Sequence, residues 1–152
     1  MKPLIVLLVA TLIFIVINLL WMSDPLYPWS ARFGMLVMLC FTALGHFLFP
    51  KGMSMMLPDF VPFKKQIIYL TAGIELILGL LLVYPPTTKT GAILLIVFFI
   101  AVLPSNIHAA RKNLNYEKGT LDGPGLNYLW FRIPEQIFFI LWVFWCGLAA
   151  IG

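Results

Sequence analysis

The chain has 152 residues, of which 62% are hydrophobic and 11% are charged, and its formal net charge is +4. A soluble domain carries about 25% charged residues, so this composition excludes an ordinary soluble globular protein. The positive charge does not indicate a nucleic-acid partner, because the basic residues lie in short polar segments between long apolar runs.

Five apolar runs follow one another along the chain. Each approaches or exceeds the length of about 20 residues that a helix needs to cross the hydrocarbon core of a bilayer. None alternates polar and apolar residues as a strand of a membrane barrel does. Because backbone polar groups must be satisfied inside lipid, we predict an all-α, polytopic membrane helix bundle. The predicted spans are residues 3–22, 33–49, 66–84, 91–110 and 129–152.

The first run also has the basic start of a signal peptide, at Lys2. Its apolar part is longer than the usual core of about 7–15 residues, and no A-x-A-like cleavage site follows it. We therefore predict a retained span, with a cleaved signal as the alternative.

Two polar segments between the runs have distinctive compositions. Residues 51–65 mix methionine and phenylalanine with polar residues, and Pro58 and Pro62 prevent one regular helix there. We predict a kinked segment anchored at the inner membrane surface, with an adaptable methionine-rich binding surface as the alternative. Residues 112–127 are polar and rich in glycine, which predicts a flexible connection.

The basic residues fall mainly on one side of the predicted spans. With the N-terminus in the cytoplasm, only Arg32 and Lys89 lie in outer segments. This distribution follows the positive-inside rule and predicts a bacterial-type cytoplasmic (inner) membrane protein with its C-terminus outside. The residues on the inner side are Lys2, Lys51, Lys64, Lys65, Arg111, Lys112 and Lys118.

Polar and charged residues also stand inside the second to fifth apolar runs. Such groups are costly in lipid and usually face the protein interior. With a rise of about 1.5 Å per residue and alternating helix directions, four helices bring these groups to the inner half of the membrane. We therefore predict one shared buried site. Its candidate residues are His46, Glu75, Asn106, His108, Arg132, Glu135 and Gln136.

The sequence does not determine which residue pairs with Arg132. Its spacing suits Glu135 at i+3 or Gln136 at i+4, and Glu75 is a further carboxylate that can reach it from another helix. Simpler interpretations also exist: His46 can satisfy a backbone carbonyl, and Arg132 can anchor a helix end.

No H-x-x-x-H or H-x-x-E pair is present, so we predict no metal site.

Several short strings in these runs resemble those of the DoxX-like family of small integral membrane proteins. The resemblance covers about residues 31–152. It implies a four-helix core there, with the span at 3–22 as an added helix within a single transmembrane domain of residues 1–152. The strings are Gly45-His46-Phe47, Leu57-Pro58, Thr71-Ala72-Gly73-Ile74-Glu75, Leu103-Pro104-Ser105-Asn106-Ile107-His108-Ala109 and Arg132-Ile133-Pro134-Glu135-Gln136.

This resemblance implies an accessory subunit of a quinone- or thiol-linked redox system. His46, Asn106 and Gln136 would hydrogen-bond the head of a quinone-like lipophilic ligand near the cytoplasmic leaflet, and Glu75 or Glu135 would exchange a proton. The expected partners are membrane lipid and a redox complex or another membrane protein. No haem, flavin or metal motif is visible, so electrons would come from that partner.

A rival hypothesis is a non-catalytic assembly factor or scaffold whose buried polar network is structural. The two hypotheses differ in what lies beside the polar residues. A cavity with an opening favours ligand binding, whereas a closed and fully paired network favours the scaffold.

Overall fold

A computed structural model of the chain describes residues 2–22 and 26–151, and over these ranges it is helical without a β-strand. The all-α prediction is therefore confirmed. Short 3₁₀ turns lie at Pro85–Thr87, Gly125–Tyr128 and Ala149–Ile151. The α-helices are α1, Lys2–Met22; α2, Tyr27–Leu48; α3, Pro50–Ser54; α4, Lys64–Val83; α5, Thr88–Arg111; and α6, Leu129–Gly147.

Five of these helices, all except α3, are long and apolar enough to cross a membrane. Their exposed surfaces are covered with large apolar side chains, which a soluble monomer rarely shows over so wide an area. The chain is therefore a membrane protein with five candidate spans, as the hydropathy of the sequence predicted.

The start of α2 corrects one prediction. The helix begins at Tyr27 and not at residue 33, because Pro28 in its first turn is already compatible with helical backbone. Arg32 therefore lies inside the helix and is 5% exposed, so its placement in an outer polar segment was wrong. Its Nε donates to the carbonyl oxygen of Cys146 at 2.7 Å, and its guanidinium lies 5.7 Å from the centroid of the Trp29 ring.

The helices pack in a closed ring with one helix added. α2 packs against α4 and α6, α5 packs against α4 and α6, and α1 packs mainly against α2. Glycines permit two of these close approaches. A Cβ on Gly34 would overlap the hydroxyl of Thr11 in α1, and a Cβ on Gly79 would lie 2.8 Å from Leu36 Cδ1.

An apolar core fills the middle of the ring. It draws side chains from all five long helices, and most of the candidate polar residues lie beyond it, at the end of the bundle where α3 lies. That end therefore contains the candidate site. The core residues are Leu7, Met35, Met38, Leu39, Leu78, Leu82, Ala92, Leu95, Phe99, Phe139 and Val143.

Candidate functional site

A cavity with a volume of about 240 Å³ lies at the α3 end of the bundle and is partly open to the outside. Its walls include side chains of α2, α4, α5 and α6, and core residues such as Leu39 and Phe99 form its floor. The cavity therefore begins at the level of the bundle where apolar side chains no longer fill the space between the helices. The predicted site residues that line it are His46, Glu75, Asn106, Arg132 and Gln136.

The other two predicted residues lie outside this lining. Glu135 is buried behind the wall and contacts Arg132, and His108 lies on α5 near its end. The Nε2 atom of His108 is buried and has no hydrogen-bond partner within residues 2–22 and 26–151. The structure thus brings five of the seven candidates to one cavity. That they act as a functional site stays a prediction.

His46 and Glu75 form the polar wall on α2 and α4. His46 Nδ1 lies 2.9 Å from the carbonyl oxygen of Ile68, so Nδ1 must carry a hydrogen to donate to that acceptor. His46 Nε2 then faces Glu75 Oε1 at 3.5 Å. When Nε2 is protonated, this contact is an ion pair between the imidazolium and the carboxylate.

Two threonines complete this wall. The Thr42 hydroxyl lies 2.9 Å from Glu75 Oε2, and the Thr71 hydroxyl lies 3.2 Å from His46 Nδ1. Sequence reasoning named His46 and Glu75 as site candidates but missed Thr42. The available signal was its i, i+4 spacing to His46, which puts both on one face of α2.

The opposite wall is built by α5 and α6. Gln136 Nε2 donates to the carbonyl oxygen of Phe99 at 2.9 Å, which ties the two helices together. Arg132 Nη1 donates to Glu135 Oε2 at 2.8 Å, at the i+3 spacing, and the Glu135 side chain is 1% exposed. The structure thus pairs Arg132 with Glu135, and His46 lies against Glu75, so both carboxylates have a basic partner.

Asn106 differs from its neighbours in this wall. It lines the cavity, and its amide makes no hydrogen bond to any part of the chain that the structure describes. Asn106 is half-buried, so its amide stays accessible from the cavity to water or to a ligand. Asn106 therefore presents both a donor and an acceptor to whatever occupies the cavity.

The cavity is covered by the connection between α2 and α4, residues 50–63, which we call the roof segment. Met53, Met56 and Leu57 of this segment line the cavity. Residues 112–124 lie over the roof segment. Gly52 of the roof segment is buried and packs against Tyr116 so closely that a Cβ on Gly52 would overlap the Tyr116 carbonyl oxygen. Residues 112–124 therefore form a packed cover, with a turn closed by a hydrogen bond from Asn115 N to Thr120 O at 2.8 Å.

Asp59 fastens the roof segment to two helices. Its carboxylate accepts from Lys112 Nζ at 2.7 Å and from Lys64 Nζ at 3.3 Å. The hydrogen bond from Lys112, then that from Lys64, lowers the pKa of Asp59 below its ordinary value of 3.8. Because the carboxylate is exposed to solvent, the contribution of each pair to stability is small and is screened by salt.

Replacing Asp59 with asparagine should loosen the roof segment in a pH-dependent way. A carboxylate with a lowered pKa stabilises the folded state above its ordinary pKa of 3.8, and this stabilisation is lost as pH falls through the folded-state pKa. Hydrogen exchange of the roof amides should be faster in Asp59→Asn than in the wild type at neutral pH, and equal at about pH 2. The control is Asp122→Asn, since Asp122 accepts from Thr120 and not from the two lysines. Equal exchange at neutral pH would show that Asp59 does not hold the roof.

The first turn of α1 reaches the edge of the cavity. Lys2 and Pro3 line it, and Lys2 Nζ donates to Glu117 Oε1 at 2.7 Å. Tyr116 and Glu117 also contribute to the lining. The N-terminal span therefore takes part in the walls, which its position outside the predicted four-helix core did not suggest.

The chain belongs to the family described as a domain of unknown function (DUF8561), whose family model matches residues 35–147. The resemblance to the DoxX-like family was therefore wrong. Its strings are a few residues long, and such strings recur by chance in apolar helices that use few residue types. No curated protein and no solved structure matches the chain.

Proposed function

We propose that this member of the DUF8561 family is an integral membrane protein that binds a lipophilic ligand with a neutral, hydrogen-bonding head group. The observation that carries the proposal is the cavity of about 240 Å³, into which four helices direct polar side chains. A largely apolar pocket with a few convergent polar groups is the usual form of a small-molecule site.

The charges around the cavity support a neutral head group. Arg132 is paired with Glu135, and His46 Nε2 lies 3.5 Å from Glu75 Oε1. Lys2 is paired with Glu117, so each positive charge in the described part of the lining has an acidic partner, which does not favour a phosphate or a carboxylate as ligand. Asn106 offers one donor and one acceptor, which suits a carbonyl or hydroxyl group.

A quinone-like head group fits these requirements, with the His46 and Glu75 pair holding a proton beside it. The role of a redox-complex subunit depended on the resemblance to the DoxX-like family, so it is not part of this proposal. The ligand-binding role depends only on the cavity and its walls.

Binding of a decyl-chain benzoquinone to the purified protein in nanodiscs, followed by tryptophan fluorescence, tests the proposal. Asn106→Leu removes the amide and should weaken binding by about tenfold, since one hydrogen bond contributes about 0.5–1.5 kcal/mol and 1.4 kcal/mol corresponds to a factor of ten. The matched control is Asn18→Leu, because Asn18 bonds Ser30 Oγ at 3.0 Å and does not line the cavity. Absence of binding to the wild type, or equal binding to both variants, would contradict the proposal.

The scaffold hypothesis is supported by a different observation. Thr42, His46, Thr71 and Glu75 contact one another across α2 and α4, as a network that holds two helices together would. If the quinone probe does not bind and Glu75→Gln lowers the melting temperature, the polar residues act as structural links.

For the orientation, we propose that the N-terminus and residues 112–124 lie in the cytoplasm and that the C-terminus lies outside. The lysines and arginines near the α3 end support this through the positive-inside rule. A reporter fused to the C-terminus should be active outside the cytoplasm, and one inserted after Lys118 should be active inside. The reverse pattern would place the cavity in the outer leaflet.

A further inference from the structure

One wall of the cavity continues onto the exposed surface of the bundle. Phe41, Leu44 and Leu48 line the cavity and are also exposed, Leu44 at 52%. Their spacing of three and four residues places them along one face of α2. Exposed apolar side chains of a membrane-spanning helix face the hydrocarbon, so this part of the rim adjoins the bilayer.

The end of the cavity that would face water is covered instead. Met53, Met56 and Leu57 of the roof segment close it, and Tyr116 lies above them. Gly52 packs directly against the Tyr116 carbonyl, and a smaller pocket lined by Met56, Leu114 and Tyr116 lies beside this contact. The α2 rim is the part of the described lining whose large apolar side chains are exposed.

Polar groups also stand at the edge of the cavity. Lys2 and Glu117 form their ion pair at 2.7 Å, and both line the cavity. The lining therefore combines a charged but compensated edge with an apolar face. That is the environment of the boundary between head groups and hydrocarbon, where an amphiphile rests.

We propose that the cavity takes up a neutral amphiphile with a single apolar chain directly from the bilayer, through the opening beside Phe41, Leu44 and Leu48. This rests on the proposed function and adds the ligand class and the route of entry. The head group lies against Asn106 and the pair formed by His46 and Glu75, and the chain leaves along the exposed face of α2.

The dimensions of the cavity and of the exposed α2 face suit a ligand with a small head group and one apolar chain. The cavity volume of about 240 Å³ is below the roughly 300–1,000 Å³ of pockets that enclose drug-sized ligands. The face from Phe41 to Leu48 extends over about 10 Å of helix, along which one chain can lie. A phospholipid with a charged phosphate finds no uncompensated cation in the described lining.

Photolabelling tests the direction of the chain in the native protein. The probe is decyl benzoquinone with a diazirine at the end of its chain, added to the full-length protein in nanodiscs. After irradiation, the label should be found on the peptide that contains residues 41–48. A label on the roof segment or on Tyr116 would mean that the chain points to water, and would overturn the proposal.

A matched pair of substitutions tests the route. Leu44→Trp enlarges a side chain at the rim and should slow probe association at least tenfold. Leu80→Trp makes the same change at a position that is 60% exposed but does not line the cavity, and should change the rate less than twofold. Equal rates in the two variants would also overturn the lateral route.

The outcomes separate the two proposals. If the wild type binds no probe, the proposed function fails and the route fails with it. If the wild type binds the probe but the label lies on the roof segment, or Leu44→Trp associates as fast as Leu80→Trp, ligand binding stands and only the lateral route is refuted.

Discussion

Replacing Arg132 with alanine is expected to lower the free energy of unfolding by about 3–5 kcal/mol, the cost of removing one partner from a buried ion pair. Arg132 Nη1 contacts Glu135 Oε2 at 2.8 Å, and the Glu135 side chain is 1% exposed. Without the guanidinium, that buried carboxylate loses a basic partner. The melting temperature in detergent, or the denaturant midpoint, measures the loss.

Lys89→Ala is the control for this substitution. Lys89 also carries a positive charge, but it is exposed in the first turn of α5. Its removal should change stability by less than about 0.5 kcal/mol, as is usual for surface substitutions. Equal melting temperatures of the two variants would show that Arg132 is solvated and that its contact with Glu135 contributes little.

Replacing Gly52 with alanine is expected to destabilise the protein by about 1–3 kcal/mol, the range for overpacking a well-filled site. A Cβ at this position overlaps the carbonyl oxygen of Tyr116. Backbone cannot move aside as the end of a flexible side chain can, so the roof segment and residues 112–124 must separate. Hydrogen exchange should therefore increase in both segments, in addition to the fall in melting temperature.

Gly73→Ala makes the same chemical change in open space. No atom lies within 4 Å of a Cβ built on Gly73, which sits inside α4. Alanine has the higher helix propensity, so this variant should be unchanged or more stable by up to about 1 kcal/mol. A Gly52→Ala protein as stable as Gly73→Ala would mean that the roof segment does not pack against Tyr116.

The sequence alone determined the helical class, the number of long helices and most of their positions. Long apolar runs that lack charge can satisfy their backbone in lipid only as helices, so composition and length were sufficient. The sequence also singled out His46, Glu75, Asn106, Arg132 and Gln136, because polar groups within apolar runs need partners. It failed at Arg32, where a charged residue was taken as the boundary of a span although the helix begins at Tyr27.

Which polar groups meet depends on how the helices pack against one another. Helix periodicity gives the face of each residue but not the rotation of one helix against another, so Arg132 could have paired with Glu75 as well as with Glu135. Packing of α2 against α4 placed His46 beside Glu75 and left Glu135 to Arg132. The cavity, the roof over it and the part of α1 in its wall arise from contacts between residues far apart in the chain, such as Lys2 with Glu117, which local sequence patterns do not encode.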